Sequence, residues 1–161
     1  MDFIKTYFAA EKNESLLFML MGAAAIAFSA YALVKWSEPY YKGLGIPLTL
    51  IGIIQIAVGG SVYFRTDKQI TELKKLYQTS STDFKTQETP RMETVMKNFS
   101  IYKKIEIAFV LIGILLIVFT PSRHFWLGVG VGMLLQGAVM LSLDIFAERR
   151  GTVYISEIQK L

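Results

Sequence analysis

The chain has 161 residues, 53% of them apolar, with a net charge of +4 and no cysteine. A mean hydropathy of +0.42 is too high for an ordinary water-soluble domain of this size. The absence of thiols removes disulfides, iron–sulfur clusters, thiolate catalysis and Cys-type zinc sites, and the interleaving of basic with acidic residues argues against nucleic acid as a partner.

Residues 1–14 carry Lys5 and Lys12 beside Asp2, Glu11 and Glu14. Phe3, Ile4, Tyr7 and Phe8 predict a short helix lying along a membrane surface. Four stretches without Asp, Glu, Lys or Arg follow, at residues 15–34, 43–64, 107–122 and 125–143. Each approaches or reaches the roughly 20 residues that cross about 30 Å of hydrocarbon as a helix. Ala30-Tyr31-Ala32 has the form of a signal-peptide cleavage site. The acids ahead of the first stretch and the length of its apolar run favour a retained span instead.

Three basic residues, Lys35, Lys42 and Arg123, fall on one side of these spans, and every other Lys and Arg falls on the opposite side. The positive-inside rule then puts both termini and the central segment in the cytoplasm. Trp36, Tyr40, Tyr41, Phe125 and Trp126 cluster at the external ends as an aromatic belt.

Beyond the second span, Ile70, Leu73 and Leu76 predict a helical extension with one apolar face. Thr79-Ser80-Ser81-Thr82 is a break with turn character. A new helix is expected at Thr89-Pro90, with Thr89 as N-cap and Met92, Val95, Met96, Phe99 and Tyr102 on its apolar face. Ile155, Ile158 and Leu161 repeat the extension after the fourth span, and the extensions are expected to pack as a short cytoplasmic bundle.

Gly43, Gly45, Gly52, Arg65 and Leu76 recur at identical spacing as Gly128, Gly130, Gly137, Arg150 and Leu161. Phe18, Gly22 and Phe28 match Phe109, Gly113 and Phe119 at a different offset, which implies a shorter external turn in the second half. The reading is an all-α integral membrane four-helix bundle made of two repeated helical hairpins with short cytoplasmic helical extensions. It forms one domain over residues 1–161, with hairpin one at 14–77, a cytoplasmic connector at 78–90 and hairpin two at 91–161. Both hairpins run in the same sense, so an axis along the membrane normal would relate them.

Small residues bring helices together in lipid. Gly45, Gly52 and Gly59 share one face of the second span, and Gly128, Gly132 and Gly137 supply close-packing positions in the fourth. Asp144 lies about 9 Å below the cytoplasmic boundary at ~1.5 Å per residue, and Glu106 is near the same level in the neighbouring helix. A carboxylate there costs several kcal/mol unless paired or hydrated. Lys104 and Arg149, with Lys103 and Arg65, are the cations expected to pair with these acids. Gln55 and Gln136 lie deeper and predict hydrogen bonds between helices.

No phosphate-cradling loop, nucleophile elbow or paired catalytic carboxylates occur, and the one histidine, His124, sits in an external turn. No enzyme, metal or cofactor is expected. The sequence predicts a bacterial inner-membrane protein surrounded by the lipid bilayer, acting through protein–protein contacts as a homo-oligomer or with a membrane-protein partner. An accessory subunit and an immunity-type protein both fit. The alternative is an ion or proton channel or transporter that uses Asp144 and Glu106.

Overall fold

The computed structural model describes residues 2–161 and is 94% helical, with no strand among the described residues. Four helices follow one another: α1 (Asp2–Lys35), α2 (Pro39–Thr79), α3 (Ser81–Phe119) and α4 (His124–Gln159). Three of them, α1, α2 and α4, are long and apolar enough to cross a membrane. In α3 the apolar run begins only after Lys103, Lys104 and Glu106, so less of that helix is free of charge.

Helix boundaries follow local chemistry. Pro39 opens α2, where its fixed φ suits a first turn and its missing N–H costs nothing. Ser80 both ends α2 and starts α3. Its extended backbone donates to the Leu76 carbonyl at 2.9 Å, while its hydroxyl accepts from the Asp83 N–H at 3.1 Å. Asp83 adds negative charge at the positive end of the helix dipole.

The helix expected at Thr89-Pro90 therefore begins earlier, at Ser81, and Pro90 lies inside α3. Ser80 is the stronger cap. The carbonyl that Pro90 leaves unbonded belongs to Thr86, an exposed residue whose carbonyl water can satisfy. The turns within each hairpin correct a second expectation. Residues 36–38 join α1 to α2 and residues 120–123 join α3 to α4, so the second turn is not the shorter.

Helices α2 and α4 form the central pair; α1 packs on α2 and α3 on α4. At the end of the bundle opposite the extensions, a Cβ on Gly43 would overlap the Phe125 carbonyl and crowd the Val129 N–H. A Cβ on Gly128 would overlap the Tyr40 carbonyl and crowd the Leu44 N–H. The two backbones touch through a reciprocal glycine contact. Nearby, Trp36 stacks on Tyr41 with centroids 4.5 Å apart, and Tyr31 meets Trp36 edge-on.

Large and small side chains are sorted in the opposite sense to a water-soluble protein. Within the apolar stretches the buried positions are mostly small or polar: Ser15, Gly22, Ser29, Gly52, Gln55, Gly113, Gly130 and Gln136. The outward positions are large and apolar, with Leu20, Leu50, Ile54, Leu111 and Val118 all more than half exposed. The best-buried apolar cluster lies instead in the extensions. Ile4, Tyr7 and Phe8 of α1, Phe84 and Met92 of α3, and Tyr154 and Ile158 of α4 pack together there, flanked by Ile70, Leu73 and Leu76 of α2. The N-terminal apolar residues are thus core of this bundle rather than a helix laid on a membrane surface.

Candidate functional site

Three of the polar clusters in the bundle tie α4 to a neighbouring helix. The deepest joins the central helices: Gln55 Nε2 donates to Gln136 Oε1 at 3.1 Å, with both side chains buried. Gln55 Oε1 has no hydrogen-bond partner.

The second cluster stands where α3 and α4 approach the extensions. Glu106 is buried, and its carboxyl faces that of Asp144. Lys103 Nζ bonds Glu148 Oε2 at 2.5 Å beside them. Glu106 Oε2 is buried without a partner. Lys104 and Arg149, expected as counterions, are both exposed and make no ion pair among the described residues. The other cations serve different acids: Arg65 approaches Glu11 at 3.9 Å, and Arg150 pairs closely with Glu14.

The glycines act at helix contacts. A Cβ on Gly45 would lie 2.7 Å from Ser29 Oγ, one on Gly52 2.8 Å from the Gly22 carbonyl, and one on Gly59 2.7 Å from the Ser15 carbonyl. All three therefore face α1. Gly132 meets Leu44 and Pro47 of α2. A Cβ on Gly130 would lie 2.8 Å from the Gly113 carbonyl, and one on Gly137 3.3 Å from the Glu106 carbonyl. Glu106 thus occupies, against Gly137, the place that Gly22 holds against Gly52.

The third cluster was not foreseen from the sequence. Glu88, 1% exposed, receives two hydrogen bonds from Arg91, at 2.7 and 2.6 Å, and one from the Tyr154 hydroxyl at 2.9 Å. Arg91 lies 5.4 Å from the centre of the Phe8 ring, and Tyr7 stacks on Tyr154 with centroids 4.3 Å apart. Burial pushes the hydroxyls of Tyr7 and Tyr154 well above the usual phenol range, reinforced at Tyr7 by Glu11 and at Tyr154 by Glu88. Burial opposes the Arg91 charge, but Glu88 outweighs it and holds the guanidinium above its ordinary pKa. Burial also raises Glu11, against the pull of Arg65, Arg91 and Arg150. Glu88 and Arg91 do stand three apart in the sequence, the spacing of neighbours on one helix face. That signal is masked by the polar character of residues 78–90, which reads as a connector.

No group of three or more His, Asp or Glu converges among the described residues in a way that could hold a metal ion. Two open apolar grooves lie on the outer surface. One, of about 360 Å³, runs between α1 and α4 along Leu17, Met21, Leu135 and Val139; the other, of about 290 Å³, lies beside Leu33, Ile46 and Leu50. Compared with protein-family models, curated proteins and solved structures, the chain matches none.

Proposed function

We propose that this chain is a four-span protein of a bacterial inner membrane, with both termini cytoplasmic, that works by contact with other membrane proteins. It would be a subunit of a homo-oligomer, an accessory subunit or an immunity-type protein. The observation that carries the reading is the sorting of side chains in the apolar stretches, with glycine, serine and glutamine inward and leucine, isoleucine and phenylalanine outward. Water would penalise such a surface. Lipid accepts it, and in lipid close backbone contact and hydrogen bonds associate helices.

The reciprocal contact of Gly43 with Phe125 and Val129, and of Gly128 with Tyr40 and Leu44, supports a duplicated hairpin with its axis along the membrane normal. The second reading, ion or proton passage by way of Asp144 and Glu106, draws on the unpartnered Glu106 oxygen. It gains nothing along the axis, where the Gln55–Gln136 bond and the glycine contacts join α2 to its neighbours.

Crosslinking in native membranes tests the first reading, with photoreactive residues at exposed Leu20, Leu50 and Leu135. Capture of a second copy or a discrete membrane protein is expected, and monomers alone would overturn it. Ion flux in proteoliposomes of the native chain and Asp144→Asn separates the second. Flux above empty vesicles that the substitution removes would replace the contact reading by a transport one. A reporter on the C-terminus should be active only in the cytoplasm.

A further inference from the structure

Between the cytoplasmic ends of α3 and α4, acids outnumber cations. Three carboxyls, those of Glu106, Asp144 and Glu148, are neighbours, and Lys103 is the cation acting on them. Lys103 is already bonded to Glu148 at 2.5 Å. Lys104 and Arg149 point to the exposed side and supply nothing. No charged group of α1 or α2 acts on the Glu106–Asp144 pair among the described residues.

Glu106 is 5% exposed, and its Oε2 finds no hydrogen-bond donor. An ionised carboxylate can only accept hydrogen bonds, so two facing carboxylates cannot satisfy each other. An unpaired buried acceptor costs about 1–3 kcal/mol, and more when charged. One proton changes both terms. It turns one carboxyl into a donor for the other and removes one of two like charges that resist joint ionisation at close range. A metal cation fits less well, because two carboxyls fall short of the six or more oxygens that hard cations collect.

We propose that Glu106 and Asp144 form a binding site for a single proton, shared between their carboxyl groups at neutral pH and sealing the α3–α4 contact beneath Gly137. The site goes beyond the contact function above and needs no net transport. Protonated, the pair closes the hairpin; deprotonated, it must draw in water or separate.

Carbodiimide labelling of the full chain in lipid vesicles at stepped pH tests this, since dicyclohexylcarbodiimide attacks only a protonated carboxyl. At neutral pH, mass spectrometry should find the adduct on Glu106 or Asp144 and none on exposed Glu72, with loss of the adduct as the pH rises. Infrared difference spectra of the native chain should show a protonated carboxyl band over the same pH range, absent from both Glu106→Gln and Asp144→Asn. The native chain's own labelling and spectra decide the matter even where a variant misfolds. A fully ionised pair at neutral pH would overturn the proposal. So would labelling no stronger than at Glu72, or labelling abolished by sodium or potassium at constant pH, which would make the site one for a metal cation.

Discussion

Gln55 of α2 and Gln136 of α4 are joined by a 3.1 Å hydrogen bond between buried side chains in the middle of apolar stretches. Buried away from water, each amide would be costly without a partner. Gln55→Leu should therefore strand Gln136, and the reverse substitution should strand Gln55, each costing about 1–2 kcal/mol. Replacing both should cost less than either alone, because no orphan remains. Reversible unfolding in mixed detergent micelles, run as a double-mutant cycle, measures the coupling. Strictly additive losses would mean that the bond contributes nothing.

The reciprocal contact of Gly43 and Gly128 makes a sharper demand. A methyl group at either position would press on a carbonyl oxygen of the facing backbone, which has no rotamer by which to yield. Gly43→Ala or Gly128→Ala should force α2 and α4 apart at their N-terminal ends and destabilise by about 1–3 kcal/mol. Gly60 has nothing within 4 Å of the position its Cβ would take. Gly60→Ala should be neutral or stabilise by up to ~1 kcal/mol, through helix propensity alone. Thermal midpoints of the three variants in one detergent make the comparison.

Much of this architecture was legible because long apolar helices obey coarse rules. Uninterrupted apolar stretches announced the helices, the Thr79–Thr82 polar run announced the break at Ser80, and glycine spacing announced the contact faces. Pairing was less legible. Phe18, Gly22 and Phe28 align with Phe109, Gly113 and Phe119 in sequence, yet Gly52 faces Gly22 while Gly137 faces Glu106. Sequence similarity does not encode the register in which one helix slides along another. Glu88 is hidden for a local reason: Thr89-Pro90 has the pattern of a helix start. Nothing in the sequence says that Ser80 would cap nine residues earlier than Thr89 and carry Glu88 into the core.

Glu88 and Arg91 differ in what each loses without the other. Glu88 is 1% exposed and Arg91 29%, so the guanidinium can reach water and the carboxylate cannot. Arg91→Met should leave a buried charge with only the Tyr154 hydroxyl, at a cost of about 3–5 kcal/mol. Glu88→Gln keeps an acceptor for Tyr154, lets Arg91 turn outward and should be milder. Limited proteolysis of the helical extensions, with near-ultraviolet dichroism of the Tyr7–Tyr154 stack, should rank the variants in that order. The opposite order would mean that Arg91 is held by something other than Glu88.

Glu11 gives the extensions a pH dependence of defined sign. It sits outside the apolar stretches; its Oε2 has no hydrogen-bond partner, and Arg65 is 3.9 Å away. Burial raises its folded-state pKa above the ordinary 4.5, and the nearby arginines only partly oppose the rise. Above the unfolded pKa the unfolded chain has released this proton while the folded chain still holds it. The folded state therefore binds more protons across that window, and the stability contributed by Glu11 falls as the pH rises from the unfolded to the folded pKa. Below the window the contribution is fully present. Glu11→Gln carries no titrating proton, so the difference in stability between the native chain and the variant should decline with pH through the window and level off above it. Unfolding of both chains in micelles at stepped pH gives that difference directly. A difference that grew with pH would mean that Arg65 and its neighbours outweigh burial and hold Glu11 below its ordinary value.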